Sequence, residues 1–286
     1  MNPPVEPSPP VEPVGTTPPA GHVEPHLVAL DIDGTLLGYD GGMSPAVHDA
    51  VAAVQKAGHH VVLASGRSLI AMTPVAALLG ITTGWMVCSN GAVTVRLDPG
   101  VPNGWELDQV VTFDPEPALR LLREELPDAR YAVEDVGVGF RMNALLPDGE
   151  LEGVHQVVDF EQLWSHEVTR VIIRDPERTP EEFSEMAARV GLGDVTYAVG
   201  WTAWMDLAPK DVTKASALER LRERLDVAPA ATVAIGDGRN DVDMLRWAGR
   251  GVAMGHADGV VRAAADEVTG TIDEDGAATV LRSLPR

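Results

Sequence analysis

The sequence Leu30-Asp31-Ile32-Asp33-Gly34-Thr35-Leu36 closes an apolar run that begins at Leu27, and it places two carboxylates two residues apart. A second apolar run, 232–235, ends in a similar cluster, Gly236-Asp237-Gly238-Arg239-Asn240-Asp241. Carboxylates brought together from two strand ends repel each other, and they are costly to desolvate unless a positive charge lies among them. A hard divalent cation with oxygen ligands, Mg²⁺, meets this requirement and implies a phosphate-bearing partner. We therefore predict a metal-dependent enzyme.

The flanking sequence alternates between strands and helices. Short apolar runs predict buried parallel strands over 27–30, 60–64, 85–88, 232–235 and 251–254. The first helix follows Ser44, has Pro45 at its first position and ends at Gly58, and further helices are predicted over 68–79, 213–225, 241–248 and 275–283. This order indicates an α/β fold with a doubly wound, Rossmann-like and mostly parallel sheet, in which ligands bind beyond the carboxyl ends of the strands.

The strand–helix order is interrupted after Asn90-Gly91. The intervening segment predicts helices near 115–126 and 180–190 and strands near 130–134, 168–174, 195–199 and 202–207. We therefore predict an inserted, antiparallel α+β cap domain over 93–208, within a core formed by residues 26–92 and 209–286. Residues 1–25 hold nine of the 22 prolines, so we predict that this segment is a disordered, Pro-rich leader.

The composition argues against several classes of function. A net charge of −21 disfavours binding to nucleic acid or to an anionic membrane. No apolar run approaches the length of a membrane-spanning helix, and the N-terminus does not resemble a secretory signal. Cys88 is the single cysteine, so no intramolecular disulfide can form, and the cytoplasm is the expected location. The oligomeric state is left open.

Two further polar segments suit phosphate chemistry. Ser65-Gly66-Arg67 follows the second strand and offers a hydroxyl and backbone N–H groups to a phosphate, although Ser65 alone also fits a helix cap. Lys214 opens a helix, where the helix dipole disfavours a cation, so contact with a phosphoryl oxygen would explain its position. Lys210 is better explained as a solvated surface residue.

The acidic clusters have simpler explanations that stay open on the residues alone. Of Asp31 and Asp33, one carboxylate can act as a nucleophile while the other transfers protons. An Asp-Gly turn with a capping side chain accounts for the same pair. Asn240 alone can cap a helix, but three acidic or amide groups between glycines are poorly explained in that way.

In this order, the four segments resemble the motifs of the haloacid dehalogenase (HAD) superfamily of phosphohydrolases: Asp31-Ile32-Asp33-Gly34-Thr35, Ser65-Gly66-Arg67, Lys214 and Gly236-Asp237-Gly238-Arg239-Asn240-Asp241. The insert lies between the second and third motifs, as in the Cof-like hydrolases with a type IIB cap. Two other segments are similar to that subfamily, Ser89-Asn90-Gly91-Ala92 and Gly251-Val252-Ala253-Met254-Gly255. His256 departs from it, because these proteins usually carry Asn there.

The resemblance implies a role for each motif residue. Asp31 would attack phosphorus and form an aspartyl-phosphate, and Asp33 would protonate the leaving oxygen and then activate water. Mg²⁺ would be bound by the Asp31 carboxylate, the Asp33 backbone carbonyl and Asp237. The other residues would hold the phosphoryl group (Ser65, Gly66, Lys214 and Asn240) or support the site around it (Gly34, Thr35 and Asp241).

The predicted function is therefore Mg²⁺-dependent hydrolysis of a small phosphomonoester, such as a sugar phosphate or a phosphorylated metabolite or cofactor. A phosphomutase or phosphotransferase on a sugar phosphate would share the aspartyl-phosphate, and only the products distinguish it. A catalytically silent metabolite-binding module has no chemical need for Asp31, Asp33, Lys214 and Asp237 together. A carbon–halogen hydrolase needs neither Mg²⁺ nor an acid at position 33.

Substrate specificity is expected to come from the cap. Residues 93–208 contain 23 Asp and Glu, nine Arg and no Lys, which disfavours highly anionic substrates except where arginines converge. Arg141, Arg170 and Arg174 are candidates for that role, although an ion-paired surface position is the simpler explanation of each.

The leader generates the first testable prediction. Because its composition offers almost no bulky apolar side chain for packing, deletion of residues 1–24 should leave phosphatase activity and melting temperature nearly unchanged. Calorimetry and steady-state kinetics on the shortened chain measure both quantities. A clear loss of either would mean that the leader contacts the folded part of the chain.

Overall fold

A computed structural model of the chain describes residues 24–147, 151–175, 178–190, 195–199 and 204–286. The predicted leader therefore lies outside the described residues, apart from its last two positions. The described strands form two sheets, one of eight strands and one of six.

The larger sheet contains the five strands that the apolar runs predict and three further strands. Its members are β1 (Leu27–Leu30), β2 (His60–Ala64), β3 (Gly84–Cys88), β4 (Val93–Leu97), β5 (Trp105–Val110), β12 (Thr232–Gly236), β13 (Arg250–Ala253) and β14 (Glu267–Val268). Their spatial order is β14-β13-β12-β1-β2-β3-β4-β5. The first six strands in that order are parallel, and β4 and β5 are antiparallel additions. β1 lies at the centre, between β2 and β12, and all four of its residues are buried.

Helices cover both faces of this sheet, as expected for a strand that is apolar at every position. Val28 and Leu30 point to the face covered by α1 (Pro45–Lys56), α2 (Leu69–Leu78) and α8 (Gly276–Arg282). Leu27 and Ala29 point to the face covered by α5 (Lys214–Arg224), α6 (Val242–Trp247) and α7 (Gly259–Ala264). The doubly wound α/β prediction is confirmed.

The smaller sheet is built from the inserted segment. Its strands are β6 (Arg130–Asp135), β7 (Gly139–Met142), β8 (Val154–Val157), β9 (Val171–Arg174), β10 (Val195–Val199) and β11 (Trp204–Pro209), in the order β10-β11-β9-β6-β7-β8. One face packs against α3 (Glu116–Glu125) and α4 (Pro180–Val190), and the other carries a separate apolar cluster that includes Phe140 and Ile172. Among the described residues, that second cluster contains no member of either helix.

The predicted insert is too long at its N-terminal end, by residues 93–110. The sequence analysis assigned them to the cap, whereas β4 and β5 pair with β3 and extend the larger sheet. The cause is the turn Ser89–Gly91, in which all three residues have positive φ, at 49°, 53° and 103°. This turn reverses the chain at once, so the next strand pairs with the one just completed.

The remaining differences concern short elements. The predicted strand 168–174 begins at Val171, and Val168 forms only an isolated bridge with Phe113. The sequence analysis did not predict β4, β5, β7, β8, β14 or α7. Residues 202 and 203 of one predicted strand lie outside the described residues. In the part of the chain that the structure describes, no helix combines the length and apolar character needed to cross a membrane.

Candidate active site

The four predicted motifs meet at the carboxyl ends of the central strands. Asp31 follows β1, Ser65 follows β2 and Asp237 follows β12, and these three strands are adjacent. Lys214 is the first residue of α5, whose N-cap is Thr213. The structure therefore brings together the residues that the motifs selected from sequence positions up to 210 residues apart.

Lys214 joins two of the acidic residues. Its Nζ donates hydrogen bonds to Asp31 Oδ1 at 2.7 Å and to Asp241 Oδ1 at 2.6 Å, and its side chain is fully buried. Burial raises the pKa of the Asp31 carboxyl, and repulsion from Asp241 adds to that rise while Lys214 opposes it. Burial opposes the charged form of Lys214 too, but the two carboxylates raise its pKa above the usual value. These partners explain a cation at the helix start.

Asp237 is held by groups from the loop after β1. The Thr35 hydroxyl donates to Asp237 Oδ1 at 3.1 Å, and the Tyr39 hydroxyl donates to Oδ2 at 2.9 Å. Gly34 has a φ of +78°, and a Cβ at that position would lie 2.2 Å from Asp237 Oδ2. Only glycine fits so close to the carboxylate. Gly34 and Thr35, to which the resemblance gives supporting roles, therefore both lie against Asp237.

His256 also faces Asp237. Its Nδ1 accepts a hydrogen bond from the backbone N–H of Ile272, which leaves Nε2 as the protonated nitrogen of a neutral ring. That Nε2 is buried without a hydrogen-bond partner and lies 3.6 Å from Asp237 Oδ2. The residue that departs from the family pattern thus contributes a polar hydrogen beside the acidic cluster.

Asp241 has two structural roles. Its Oδ2 accepts hydrogen bonds from the backbone N–H groups of Asp237 and Gly238, at 3.1 and 2.9 Å, and this shapes the loop after β12. Its Oδ1 accepts from Lys214. The carboxylate oxygens of Asp31, Asp237 and Asp241 lie within 4.8 Å of one another. The resemblance gave Asp241 only a supporting position, but its carboxylate completes the cluster.

The Asp33 side chain lies outside that cluster. Its carboxylate is 49% exposed and forms two hydrogen bonds with Arg67, at 2.8 Å to Nε and 2.6 Å to an Nη atom. The Asp33 carboxylate is therefore not among the three that could share a cation, and the ligand that the resemblance implies for this residue is its backbone carbonyl. The carboxylate itself lines the cavity described below.

Ser65, Gly66 and Asn240 are organised by the turn after β3. Asn240 Nδ2 donates to Asn90 Oδ1 at 3.0 Å, and a Cβ on Gly66 would lie 3.2 Å from the Asn90 amide. Gly91 packs against the N-cap of α5, where a Cβ would lie 2.2 Å from the carbonyl oxygen of Thr213. The turn therefore connects the phosphate-binding candidates to the helix that positions Lys214.

A cavity of about 360 Å³ opens beside these residues. The larger sheet contributes the motif residues that line it: Asp31, Asp33, Ser65, Gly66, Asp237 and Asn240. The smaller sheet and its connections contribute Phe140, Leu151, Glu152, Arg170 and Trp204. Of the three cap arginines proposed from sequence, Arg170 lines the cavity, whereas Arg141 is buried against Asp135, Ser165 and the carbonyl of Gln162. Arg174 is not among the described lining residues.

Three site residues received no role in the sequence analysis. Tyr39 lies in an irregular loop, where no periodic signal marks it. Arg67 and Asn90 both lie in segments that carry the family resemblance. The position of Arg67 two residues after Ser65, and that of Asn90 in the turn after a predicted strand, could have identified them as site residues.

The acidic cluster fits a hard divalent cation. Three buried carboxylates are clustered and a single ammonium group contacts two of them, so the ammonium does not balance the charge that three ionised carboxylates would carry. Oxygen-only ligands at this spacing are those that Mg²⁺ prefers, and Asp31, Asp237 and Asp241 are the side chains that could hold or orient it.

Comparisons with known proteins agree with this geometry. The sequence profile of the haloacid dehalogenase-like hydrolases matches residues 28–108 and 147–281. A putative phosphatase of Bacillus subtilis, YkrA, is 29% identical over 92% of this chain and 98% of its own length. A phosphoglycolate phosphatase of Natronomonas pharaonis is 32% identical over 87% of this chain and 93% of its own. The crystal structure of a HAD phosphatase from Bacteroides thetaiotaomicron superposes with a TM-score of 0.74 at 28% identity, covering 94% and 98% of the two chains.

The buried cluster should make stability depend on pH and on divalent cations together. Without a divalent cation, the pKa of Asp31 rises from 3.8 in the unfolded chain to about 7, so the folded state binds more protons. The Asp31 contribution to the free energy of unfolding should therefore fall as pH rises from about 4 to about 7. Mg²⁺ competes with those protons, so its stabilising effect should be larger at pH 8 than at pH 5.

Thermal unfolding at the two pH values, in EDTA and in excess Mg²⁺, measures this effect. A cation at a concentration 100 times its dissociation constant adds about 2.7 kcal/mol to the free energy of unfolding. Asp237→Asn should remove most of the gain, whereas Asp40→Asn, an exposed change of the same kind, should retain it. An equal Mg²⁺ effect in the two variants would contradict a cation site at Asp237.

Proposed function

Because the chain belongs to the haloacid dehalogenase-like hydrolase family and is a Cof-like phosphatase within it, we propose that it hydrolyses a small phosphomonoester with Mg²⁺ through an aspartyl-phosphate. The observation that carries the proposal is the buried Lys214, which holds Asp31 and Asp241 at the edge of a cavity shared by the two sheets. Two relatives are named phosphatases, one of them for phosphoglycolate, and this supports a small phosphorylated substrate.

Asp31 is the proposed nucleophile. Lys214 fixes one of its carboxylate oxygens, and the residue lines the cavity where a phosphoryl group would enter. Attack forms a bond between an Asp31 oxygen and phosphorus, while the bond between phosphorus and the ester oxygen breaks. The ammonium of Lys214 partly offsets the repulsion between the carboxylate and the phosphate oxygens.

Asp33 is the proposed proton carrier. It lines the same cavity, two residues along the loop, and Arg67 holds its carboxylate at the rim. In the first step it gives a proton to the departing alcohol oxygen. In the second it takes a proton from water, which attacks phosphorus and releases inorganic phosphate and the free Asp31 carboxylate.

The other motif residues are proposed to bind the phosphoryl group and the metal. Ser65, Gly66 and Asn240 line the cavity next to Asp31, and the Asn90–Asn240 hydrogen bond fixes two of the loops that carry them. Asp31, Asp237 and the Asp33 backbone carbonyl are the proposed ligands of the metal, with Asp241 beside them. When bound, Mg²⁺ neutralises charge between the Asp31 carboxylate and the phosphate oxygens.

Asp31→Asn tests the nucleophile. The amide keeps the shape of the side chain and an oxygen that can accept from Lys214, but it is a poor nucleophile, so kcat should fall by about 10⁴-fold or more. Asp49→Asn makes the same chemical change on the exposed side of α1 and should leave kcat unaltered. Circular dichroism checks that both variants fold. Substantial turnover by Asp31→Asn would point to direct attack by water.

Metal removal and product analysis test the rest of the proposal. Activity on a simple phosphomonoester should be lost in EDTA and return with Mg²⁺. Equal activity with and without chelator would remove the metal from the mechanism. Inorganic phosphate should appear in step with the free alcohol, whereas transfer of the phosphoryl group to an added sugar in place of water would identify a phosphotransferase.

A further inference from the structure

The open face of the smaller sheet supplies one wall of the cavity. Strand alternation places Tyr131 and Val133 on the face covered by helices. The opposite face carries Phe140, Ile172 and Trp204, and Leu151 packs with them. Phe140, Leu151 and Trp204 also line the cavity, so the lining contributed by the smaller sheet and its connections contains an apolar surface with two aromatic side chains, next to Arg170 and Glu152.

The arginines that line the cavity are already paired. Arg170 donates from its guanidinium to Asp206 Oδ1 at 2.7 Å and is only 6% exposed, and Arg67 is bound to Asp33. Glu152, which is exposed, adds a further carboxylate to the lining. The charge of each of these two arginines is therefore already balanced by a carboxylate of the protein, and Glu152 makes this part of the lining more negative.

Two kinds of leaving group are disfavoured by these neighbours. A carboxylate or a second phosphate would face Glu152 without an unpaired cation, at a cost that increases as water is excluded. A polyhydroxy chain could reach Glu152 and Arg170, but the hydroxyls that it placed against Phe140, Leu151 and Trp204 would find almost no hydrogen-bonding groups there. A flat apolar ring, in contrast, can stack on the indole of Trp204, which is only partly buried by the protein.

We propose that the physiological substrate is the phosphate ester of an uncharged alcohol with an aromatic or heteroaromatic ring, held against Trp204, Phe140 and Leu151. The proposal rests on the phosphatase function inferred above and specifies its substrate class. A cavity of about 360 Å³ accommodates a phosphoryl group with one or two rings.

Three primary alkyl phosphates test this class, because all carry phosphorus on a CH₂–O group and differ in the rest of the molecule. The probes are benzyl phosphate, glucose 6-phosphate and 2-phosphoglycolate, with p-nitrophenyl phosphate as a general reporter of activity. An apolar contact that distinguishes substrates is worth about 10-fold or more in kcat/KM, so benzyl phosphate should lead the other two primary esters by at least that factor.

Trp204→Ala should lower kcat/KM for benzyl phosphate by about 10-fold and change the other two primary esters by less than about threefold. Trp204→Phe keeps an aromatic face and should restore most of the preference. Trp164→Ala removes a tryptophan from the helix-covered side of the same sheet, outside the cavity, and should leave the ratio of rates unchanged. Glu152→Gln should raise the rate on 2-phosphoglycolate relative to benzyl phosphate.

These experiments distinguish a wrong substrate class from a wrong phosphatase function. If glucose 6-phosphate or 2-phosphoglycolate is preferred, or if Trp204→Ala scales all three rates equally, the substrate class is wrong and the phosphatase function stands. If none of the four esters is hydrolysed in Mg²⁺, the proposed function fails and the substrate class fails with it.

Discussion

The two hydrogen bonds that the Lys214 ammonium donates to Asp31 and Asp241 are the interactions on which the site depends. They connect the end of β1, the loop after β12 and the first turn of α5, three places that are distant in sequence. All three groups are buried, and the ammonium offsets the repulsion between the two carboxylates only while all three are in place. Loss of the ammonium would leave two buried carboxylates facing each other, which is far more destabilising than loss of an exposed ion pair.

The surrounding structure compensates for the excess negative charge with oriented dipoles. Thr35, Tyr39 and His256 direct polar hydrogens toward Asp237, and two backbone N–H groups point at Asp241. A further contact links the two sheets, because the Ser89 hydroxyl donates to Glu134 Oε2 at 2.6 Å. Burial raises the pKa of Glu134, and Arg170 and the hydroxyls of Ser89 and Thr169 oppose that rise. The turn that contains Asn90 is therefore also one of the places where the smaller sheet contacts the larger one.

The parts of the molecule that could be predicted from sequence are those with a local signal. β1 and its acidic end were predicted because an unbroken apolar run identifies a strand covered on both faces. β4 and β5 were not predicted as strands, and periodicity in any case does not indicate which sheet a strand joins. Tyr39 reaches Asp237 from an irregular loop, and such a contact is set by tertiary packing alone. The short helix α7 was missed although Asp258 caps it, because six residues give too little periodicity.

Two glycines near the first motif have nearly the same φ but different surroundings, so they differ in the substitutions that they can tolerate. Gly34 and Gly41 have φ values of +78° and +80°, so a side chain at either position would stand on left-handed backbone, which glycine adopts most readily. A Cβ on Gly41 would have nothing within 4 Å, whereas one on Gly34 would strike Asp237. Asparagine or aspartate, which tolerate this backbone, can therefore replace Gly41 during evolution, while position 34 is closed even to alanine for as long as the loop carries a carboxylate at 237.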